Sequence, residues 1–371
     1  SEMCIRDRMK YWKRDKKIFQ RRMFAGIAAI SFLYSIYFIS LGKTQSEDVR
    51  RQLIPYALNG GADISLPDLQ NVRSDFYHAM DNQAMYWQIP SIQAFHSIVP
   101  GSIMEFYPTI GVTRDVGSRP DTKTYGLRAL TSCRWLFDYT GDDNYFGGEN
   151  RQNPEMPGWH YYDTQNGFDV WENEYYIPMG FSYDSYVTQE QYDEASEGDR
   201  DLLLLHALVL SDEQIQTYGS LLTQLDTADL DFTHDEYYEA CLERRDSAGT
   251  EFSHDGTGFS LHYSAEKERL VFFSVPYESG WSATVNGQAV PVEKVSVGFM
   301  AVKVPAGESD IRFEYRTPGL GEGFAMSGAA LVLLVLYHRL TLRMDNRLQK
   351  DRKRRIFRIK SSENGAAEEE L

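Results

Sequence analysis

Six residues of the chain have side chains that suit carbohydrate binding, because sugar sites combine aromatic platforms with carboxylates and other polar groups. They are Trp87, His96, Trp159, Asp163, Trp171 and Trp281. Aromatic residues make up 13% of the sequence, which is a high share. A β-rich region also needs aromatic side chains for its core, so core packing is the favoured interpretation for each of the six taken singly, and sugar binding is the alternative.

Acid–base and metal chemistry have weaker signals. His160 and Asp163 could form a general acid and base pair. The sequence has no nucleophile at a recognisable spacing from them, so a surface hydrogen bond is the favoured interpretation. The acidic run at 140–150 invites comparison with a calcium loop, but counting from Asp142 places Phe146 and Asn153 where that loop needs an oxygen ligand and a glutamate. We therefore predict a solvated turn there, with no metal ion and no cofactor.

The cysteines give no sign of a redox or metal motif. Cys4, Cys133 and Cys241 lack the CxxC spacing and the ligand spacing of zinc sites. We expect Cys4 to be cytoplasmic, which leaves one disulfide as an open possibility, between Cys133 and Cys241. Neither residue is expected to be catalytic.

The element that must position any such site is an apolar helix near the start of the sequence. Residues 23–41 contain nineteen residues without a charge, which cover about 28 Å as a helix and match the hydrocarbon thickness of a bilayer. Basic residues crowd its amino-terminal side and indicate that this side is cytoplasmic. A signal peptide is the alternative, but its apolar core is usually shorter, and no small-x-small cleavage site follows Leu41.

A second uncharged run, residues 323–338, precedes a basic tail. With Arg339 snorkelling, we predict a span over 323–342. Residues 43–338 hold 19 basic and 45 acidic side chains, whereas both ends are basic. The prediction is an in–out–in topology, with cytoplasmic segments at 1–22 and 343–371 and an extracytoplasmic region over 42–322. A nucleic-acid patch is the alternative for the tail, but the acidic region would repel a polyanion, so we expect contact with anionic lipid and no nucleic-acid partner.

Residues 42–255 combine helix and strand signals and predict an α+β region. The sequence RALTSCRWLFDY at 128–139 predicts a helix that turns into a strand. Ser211 and Gln214 form a capping box that opens a helix, and the leucine-rich run at 202–210 predicts a buried segment. A strand is predicted over 175–177.

Residues 256–316 contain short apolar runs at steady spacing, which predict a small antiparallel β-sandwich. Asn286 and Gly287 predict a two-residue hairpin turn. The alternation of Trp281, Ala283 and Val285 with polar residues predicts one buried face. The fold class is therefore a membrane protein, with two transmembrane helices bracketing an extracytoplasmic α+β region that ends in a β-sandwich.

These patterns resemble the bacterial YfhO family of polytopic membrane proteins. The segment SVPYESGWSATVNGQAVPVEKVSVGFMAVKVPAGESDIRFEYRTPG resembles the carboxy-terminal end of that family, and DNQAMYWQIPSIQAFHSIVPGSIMEFY, RALTSCRWLFDY and VWENEYYIPMGF resemble its extracytoplasmic segments in the same order. The resemblance covers roughly residues 20 to 345. It implies a glycosyltransferase-like protein of the GT-C type in the bacterial plasma membrane. Such proteins take sugar from a polyprenyl-phosphate carrier and are linked to glycosylation of cell-surface polymers such as lipoteichoic acid.

The sequence also departs from that family. Family members have many more spans, and their expected acidic catalytic residue lies in an early external loop. The opening residues SEMCIRDR do not fit with the residues after them, and we expect further spans upstream in the native protein. No catalytic residue is carried over.

Two other functions remain open from the sequence. A non-enzymatic membrane-anchored module could bind a cell-wall polymer or serve as a structural part of the cell envelope. A glycosidase would require two carboxylates flanking a cleft, and the sequence nominates no such pair.

Overall fold

The computed structural model describes residues 16–45, 60–78, 80, 82–95, 98–113, 117–141 and 143–368. Cys4 and Asp142, which entered the sequence predictions, lie outside these residues. The helices of the described chain are α1 (Lys16–Gln45), α2 (Gln83–Trp87), α3 (Gly101–Thr109), α4 (Tyr125–Leu130), α5 (Gln189–Glu194), α6 (Arg200–His206), α7 (Asp212–Tyr218), α8 (His234–Asp246) and α9 (Leu320–Glu368). Short 3₁₀ helices lie at Gly60–Asp63, Gly219–Leu221 and Thr227–Asp229.

The strands lie between the two long helices. They are β1 (Arg73–Tyr77), β2 (Ala94–Phe95), β3 (Gly117–Ser118), β4 (Cys133–Tyr139), β5 (Trp159–Gln165), β6 (Phe168–Asn173), β7 (Phe181–Ser182), β8 (Ser185–Thr188), β9 (Leu208–Leu210), β10 (Thr223–Gln224), β11 (Thr250–His254), β12 (Gly258–Ala265), β13 (Arg269–Phe273), β14 (Trp281–Val285), β15 (Gln288–Val290), β16 (Glu293–Val295), β17 (Phe299–Val304) and β18 (Gly307–Tyr315).

These strands form mixed sheets. A first sheet has the order β1-β4-β6-β5, with β1 parallel to β4 and the other neighbours antiparallel. A small parallel sheet has the order β10-β8-β9, and β2 pairs with β3. Two antiparallel sheets come later in the chain, β11-β12-β18-β14-β15 and β16-β17-β13-β7.

The two apolar helices predicted from the sequence are present near the two ends. Residues 18–45 of α1 and residues 320–344 of α9 are long and apolar enough to cross a membrane, judged by length and composition. In each of them, no residue of the most apolar stretch of 18 residues is buried inside the protein. The predicted spans at 23–41 and 323–342 lie within them. Apolar side chains are exposed around the whole circumference of each helix, a pattern typical of a membrane span.

The two antiparallel sheets share a core. Phe259 and Leu261 of β12 and Phe313 of β18 contact Val271 of β13 and Val302 of β17 in one apolar cluster. Strand β13 is buried on both faces, because its alternate residues Leu270 and Phe272 belong to a second cluster with the helices. Strands β7 and β11 begin before residue 256, so these sheets use more of the chain than the predicted range 256–316.

Several local predictions are confirmed. Asn286 and Gly287 have φ angles of 51° and 76° and join β14 to β15, as a type I′ turn requires. The run at 128–139 changes from α4 to β4. Ser211 and Gln214 form the capping box of α7, and the segment at 202–210 is buried apart from His206.

The prediction of a strand over 175–177 is wrong. The amide of Tyr175 donates to Asn173 Oδ1, and Arg245 donates to the carbonyl of Tyr176 through Nε at 3.2 Å and Nη2 at 2.8 Å. Backbone groups that a neighbouring strand would bind are therefore engaged by side chains. Cys133 and Cys241 form no disulfide, because each is buried in a different apolar cluster.

We predict that Phe313→Ala lowers the free energy of unfolding by about 3–5 kcal/mol, since it leaves a cavity in a packed core. Phe313 is fully buried and its ring lies 4.6 Å from that of Phe259 and 4.8 Å from that of Phe273. Denaturant unfolding of the full chain measures the loss. The matched control is Glu314→Ala on the exposed face of the same strand, where a change of no more than about 0.5 kcal/mol is expected. Equal losses for the two variants would contradict the shared core.

Candidate functional site

A polar cleft of about 380 Å³ opens beside the first sheet. It is bounded by β1, by the segment that leads into α4 and by a loop that follows β4. The lining residues are Asp75, Phe76, Tyr77, His78, Gln93, Arg119, Pro120, Asp121, Thr122, Arg128, Leu136 and Glu155.

The floor of the cleft is a buried ion pair between Arg128 and Asp75, with Nη2 of the arginine 3.0 Å from a carboxylate oxygen and both side chains only 2% exposed. The Nε of Arg128 also donates to Asp75 at 3.1 Å, and its other N–H groups donate to the carbonyls of Pro120, Asp121 and Thr124. The second oxygen of Asp75 accepts from the amide of Phe76 and from Gln93. Both charges are therefore paired and hydrogen-bonded, as burial demands.

Helix α4 carries Arg128 to the cleft, and a distant carboxylate holds the start of that helix. Asp201 in α6 accepts a hydrogen bond from the amide of Leu127 at 3.3 Å and another from the amide of Gly126. A Cβ at Gly126 would lie 3.0 Å from the Asp201 carboxylate and 2.9 Å from Leu202, so glycine permits the close approach of the two helices. Burial raises the pKa of Asp201 to about 6, and the hydrogen bonds from the two amides act against that rise.

The rim of the cleft carries charges of both signs. Tyr77 donates to one oxygen of Glu155 at 2.5 Å, and Thr122 donates to the other oxygen at 3.0 Å. His78 and Arg119 are exposed at the same rim. The Tyr77 ring is half-buried and contacts the rings of His78 and Phe146.

The sequence candidates are not gathered at this cleft. Trp159 and Trp171 are 4% and 1% exposed and pack around Phe146, behind the wall that Tyr77 forms. Trp87, 5% exposed, packs against the rings of Phe76, Phe137 and Phe168 in a different cluster. Trp281 is half-buried against Tyr315 and Phe259 in the antiparallel sheets. His96 lies outside the described residues.

His160 and Asp163 do not contact each other. His160 lies 3.4 Å from Glu172, and Asp163 is exposed and accepts from the amide of Thr164 at 2.7 Å. The two side chains are thus held by separate neighbours, and the alternative of surface hydrogen bonding describes both.

The cleft suits a polar ligand that has many hydroxyl groups. Carboxylates, guanidinium groups, two hydroxyls and an imidazole line one cavity, so the lining includes both hydrogen-bond donors and acceptors. Within the described parts of the chain, no group of three or more His, Cys, Asp and Glu side chains is arranged to hold a metal ion. No local signal in the sequence marks Asp75, Arg128 or Glu155, since their contacts join positions 53 and 78 residues apart.

The described structure combines mixed helices and sheets with a long apolar helix near each end and a polar cleft in the region between them. A family model described as "Bacterial membrane protein YfhO" matches residues 68–239 and 222–327. The chain therefore belongs to the YfhO family, as its sequence resemblance implied. No curated protein and no solved structure matches it.

We predict that Asp201→Asn removes a pH dependence of stability. Because the folded protein holds the Asp201 proton more tightly than the unfolded chain does, this group stabilises the fold below about pH 4, and its contribution is lost as pH rises through about 6. Relative to wild type, the variant should gain on the order of 2–3 kcal/mol of unfolding free energy between pH 4 and pH 7.

Denaturant unfolding across that pH range measures the difference. The control is Asp199→Asn. This variant removes a negative charge two positions before Asp201, and the Asp199 side chain makes no capping hydrogen bond that would be lost. If wild type and Asp201→Asn show parallel pH profiles, Asp201 does not hold its proton as described.

Proposed function

We propose that this chain is the carboxy-terminal part of a membrane protein that glycosylates cell-surface polymers such as lipoteichoic acid, using sugar carried on polyprenyl phosphate. In this proposal the polar cleft binds the sugar-bearing group of the donor or of the acceptor. Membership of the YfhO family supports the first part, and the chemistry of the cleft supports the second.

The observation that carries the proposal is an open cleft whose floor is a fixed pair of charged side chains. The cleft of about 380 Å³ lies within the size range of small-molecule sites, roughly 300–1,000 Å³. Its floor is immobilised by the Arg128–Asp75 pair, so the rim groups stand on a rigid base. Glu155 can accept hydrogen bonds from sugar hydroxyls, and the ring of Tyr77 offers an adjacent aromatic surface.

The proposal also includes a topology. Helices α1 and α9 would cross the plasma membrane, with both termini cytoplasmic and the acidic region outside. The basic residues around the two apolar segments support this orientation. The two antiparallel sheets would form a β-sandwich close to the membrane surface. Only a short connection separates them from α9, because β18 ends at Tyr315 and α9 begins at Leu320.

A second candidate function is a non-enzymatic, membrane-anchored module that binds a cell-envelope polymer. One observation favours it. Both oxygens of Asp75 and both oxygens of Glu155 already accept hydrogen bonds from the protein. Carboxylates held in this way suit ligand recognition better than proton transfer.

We predict that deleting the gene lowers the sugar content of lipoteichoic acid, and that the wild-type gene restores it. Glu155→Gln should restore much less, because losing a hydrogen bond to a charged group weakens binding about tenfold. Mass spectrometry of the extracted polymer measures the sugar. The control is Glu266→Gln, which changes an exposed carboxylate in the connection between β12 and β13.

An unchanged sugar content in the deletion strain would exclude the glycosylation role. If the purified protein then still bound the polymer in a Glu155-dependent way, the binding module would be the function. Loss of both effects would contradict the assignment of the cleft.

The topology is tested by labelling single cysteines in intact cells. We predict that Gly256→Cys reacts with a membrane-impermeant maleimide, because position 256 is exposed and a Cβ there meets no other atom within 4 Å. Ser361→Cys should react only after permeabilisation. Reaction of both variants in intact cells would rule out a cytoplasmic carboxyl terminus.

A further inference from the structure

A second cavity lies at the junction of the first sheet, helix α3 and the antiparallel sheets. Its volume is about 210 Å³. Most of its lining is apolar, and the residues of that kind include Ile92, Val99, Ile103, Phe106, Leu127 and Phe299. One charged side chain, that of Arg73 in β1, also lines it.

The guanidinium of Arg73 is anchored by neutral groups. Its Nη1 donates to the carbonyl of Thr131 at 2.6 Å and to Ser274 Oγ at 3.0 Å, and its Nη2 donates to the carbonyl of Ser274 at 2.9 Å. These bonds use three of the five N–H groups of an arginine. Among the described residues, no group accepts from Nε or from the remaining N–H of Nη2.

The charge of Arg73 also has no anionic partner within the part of the chain that the structure describes. No carboxylate of the described chain pairs with it, whereas the fully buried arginine of this region, Arg128, is neutralised by Asp75. Burial lowers the pKa of Arg73, which reflects the cost of holding a cation there without a counterion. Two arginine side chains therefore lie in this part of the fold, Arg128 fully buried and Arg73 half-buried, and among the described residues only Arg128 has an anionic neighbour.

We infer that this cavity binds a small organic monoanion, with a planar carboxylate against Arg73 and an apolar body against the surrounding side chains. Adjacent Nε and Nη2 donors suit the two oxygens of a carboxylate. An apolar cavity of about 150 Å³ accommodates benzene, so this larger one has room for a body of that size together with its carboxylate. The site is separate from the polar cleft and does not depend on the proposed function.

An alternative role for Arg73 is purely structural, as a clamp between Thr131 at the end of α4 and Ser274 at the end of β13. A clamp gives no preference for an anion over a neutral molecule of equal shape. The two roles therefore differ in a measurable way.

The experiment uses the full chain in nanodiscs of zwitterionic lipid, with 4-fluorobenzoate and its neutral isostere 4-fluorobenzamide as probes. Binding is followed by the ¹⁹F line width of each probe. We expect the benzoate to bind at least tenfold more tightly than the benzamide. Equal affinity of wild type for the two probes, or no binding of either, would overturn the inference.

Three variants assign the effect. Arg73→Gln should abolish the preference for benzoate. Val99→Trp should weaken the binding of both probes. It fills the cavity from its half-buried rim and leaves the hydrogen bonds of Arg73 intact. The matched control is Arg119→Gln, which removes an equal charge at the polar cleft and should leave both affinities unchanged. A preference for benzoate that survives in Arg73→Gln would likewise overturn the inference.

Discussion

The buried pair of Arg128 and Asp75 is the interaction on which the geometry of the polar cleft depends. This arginine donates four hydrogen bonds, one to the carboxylate and three to the carbonyls of Pro120, Asp121 and Thr124, and its Nη2 also lies 3.0 Å from the carboxylate. One side chain thus fixes the segment before α4 against β1. Without its partner, the charge of Arg128 would be buried and unpaired, which costs several kcal/mol in typical proteins. The floor of the cleft is polar because the buried pair needs hydrogen-bonding groups around it.

The rest of the fold supports this floor through a continuous core. Asp201 holds the amino-terminal end of α4, and α4 packs in the same apolar cluster as α6, α3 and one face of β13. The opposite face of β13 belongs to the core of the antiparallel sheets. Strand β13 is therefore shared by both clusters, with alternate side chains in each, as the twofold period of a strand allows. The second cavity lies along this junction, where helix α3 meets Phe299 of β17.

Local patterns in the sequence predicted local structure well. The turn at Asn286 and Gly287, the capping box at Ser211 and the change from helix to strand within 128–139 depend on residues only a few positions apart, and each is present. The polar cleft could not be predicted in this way. Its floor joins residues 53 positions apart, and its rim joins Tyr77 to Glu155, 78 positions apart. Nothing in the neighbourhood of Asp75 in the sequence identifies its role.

The tryptophans illustrate the same limit from the opposite side. Their residue type suits sugar binding, yet a large aromatic ring also contributes the most apolar area to a core. Trp87, Trp159 and Trp171 are buried among other rings, so no face is left for a ligand. The chemistry that the cleft offers comes from Glu155, Arg119 and Tyr77, which are common residue types with no distinctive spacing.

The net charge of the protein and the charge inside its second cavity have opposite signs. The region between the apolar helices has a large acidic excess, so its mean field repels anions at long range. Salt screens that field beyond about 10 Å, whereas the half-buried guanidinium of Arg73 acts at contact distance in a medium of lower polarity. The net charge of the protein therefore does not attract an anion from a distance. Most of the electrostatic binding energy would come from contact with Arg73 inside the cavity. Selectivity for the ligand then depends on fitting the apolar walls around that charge, because only a molecule that fills them brings its carboxylate within reach.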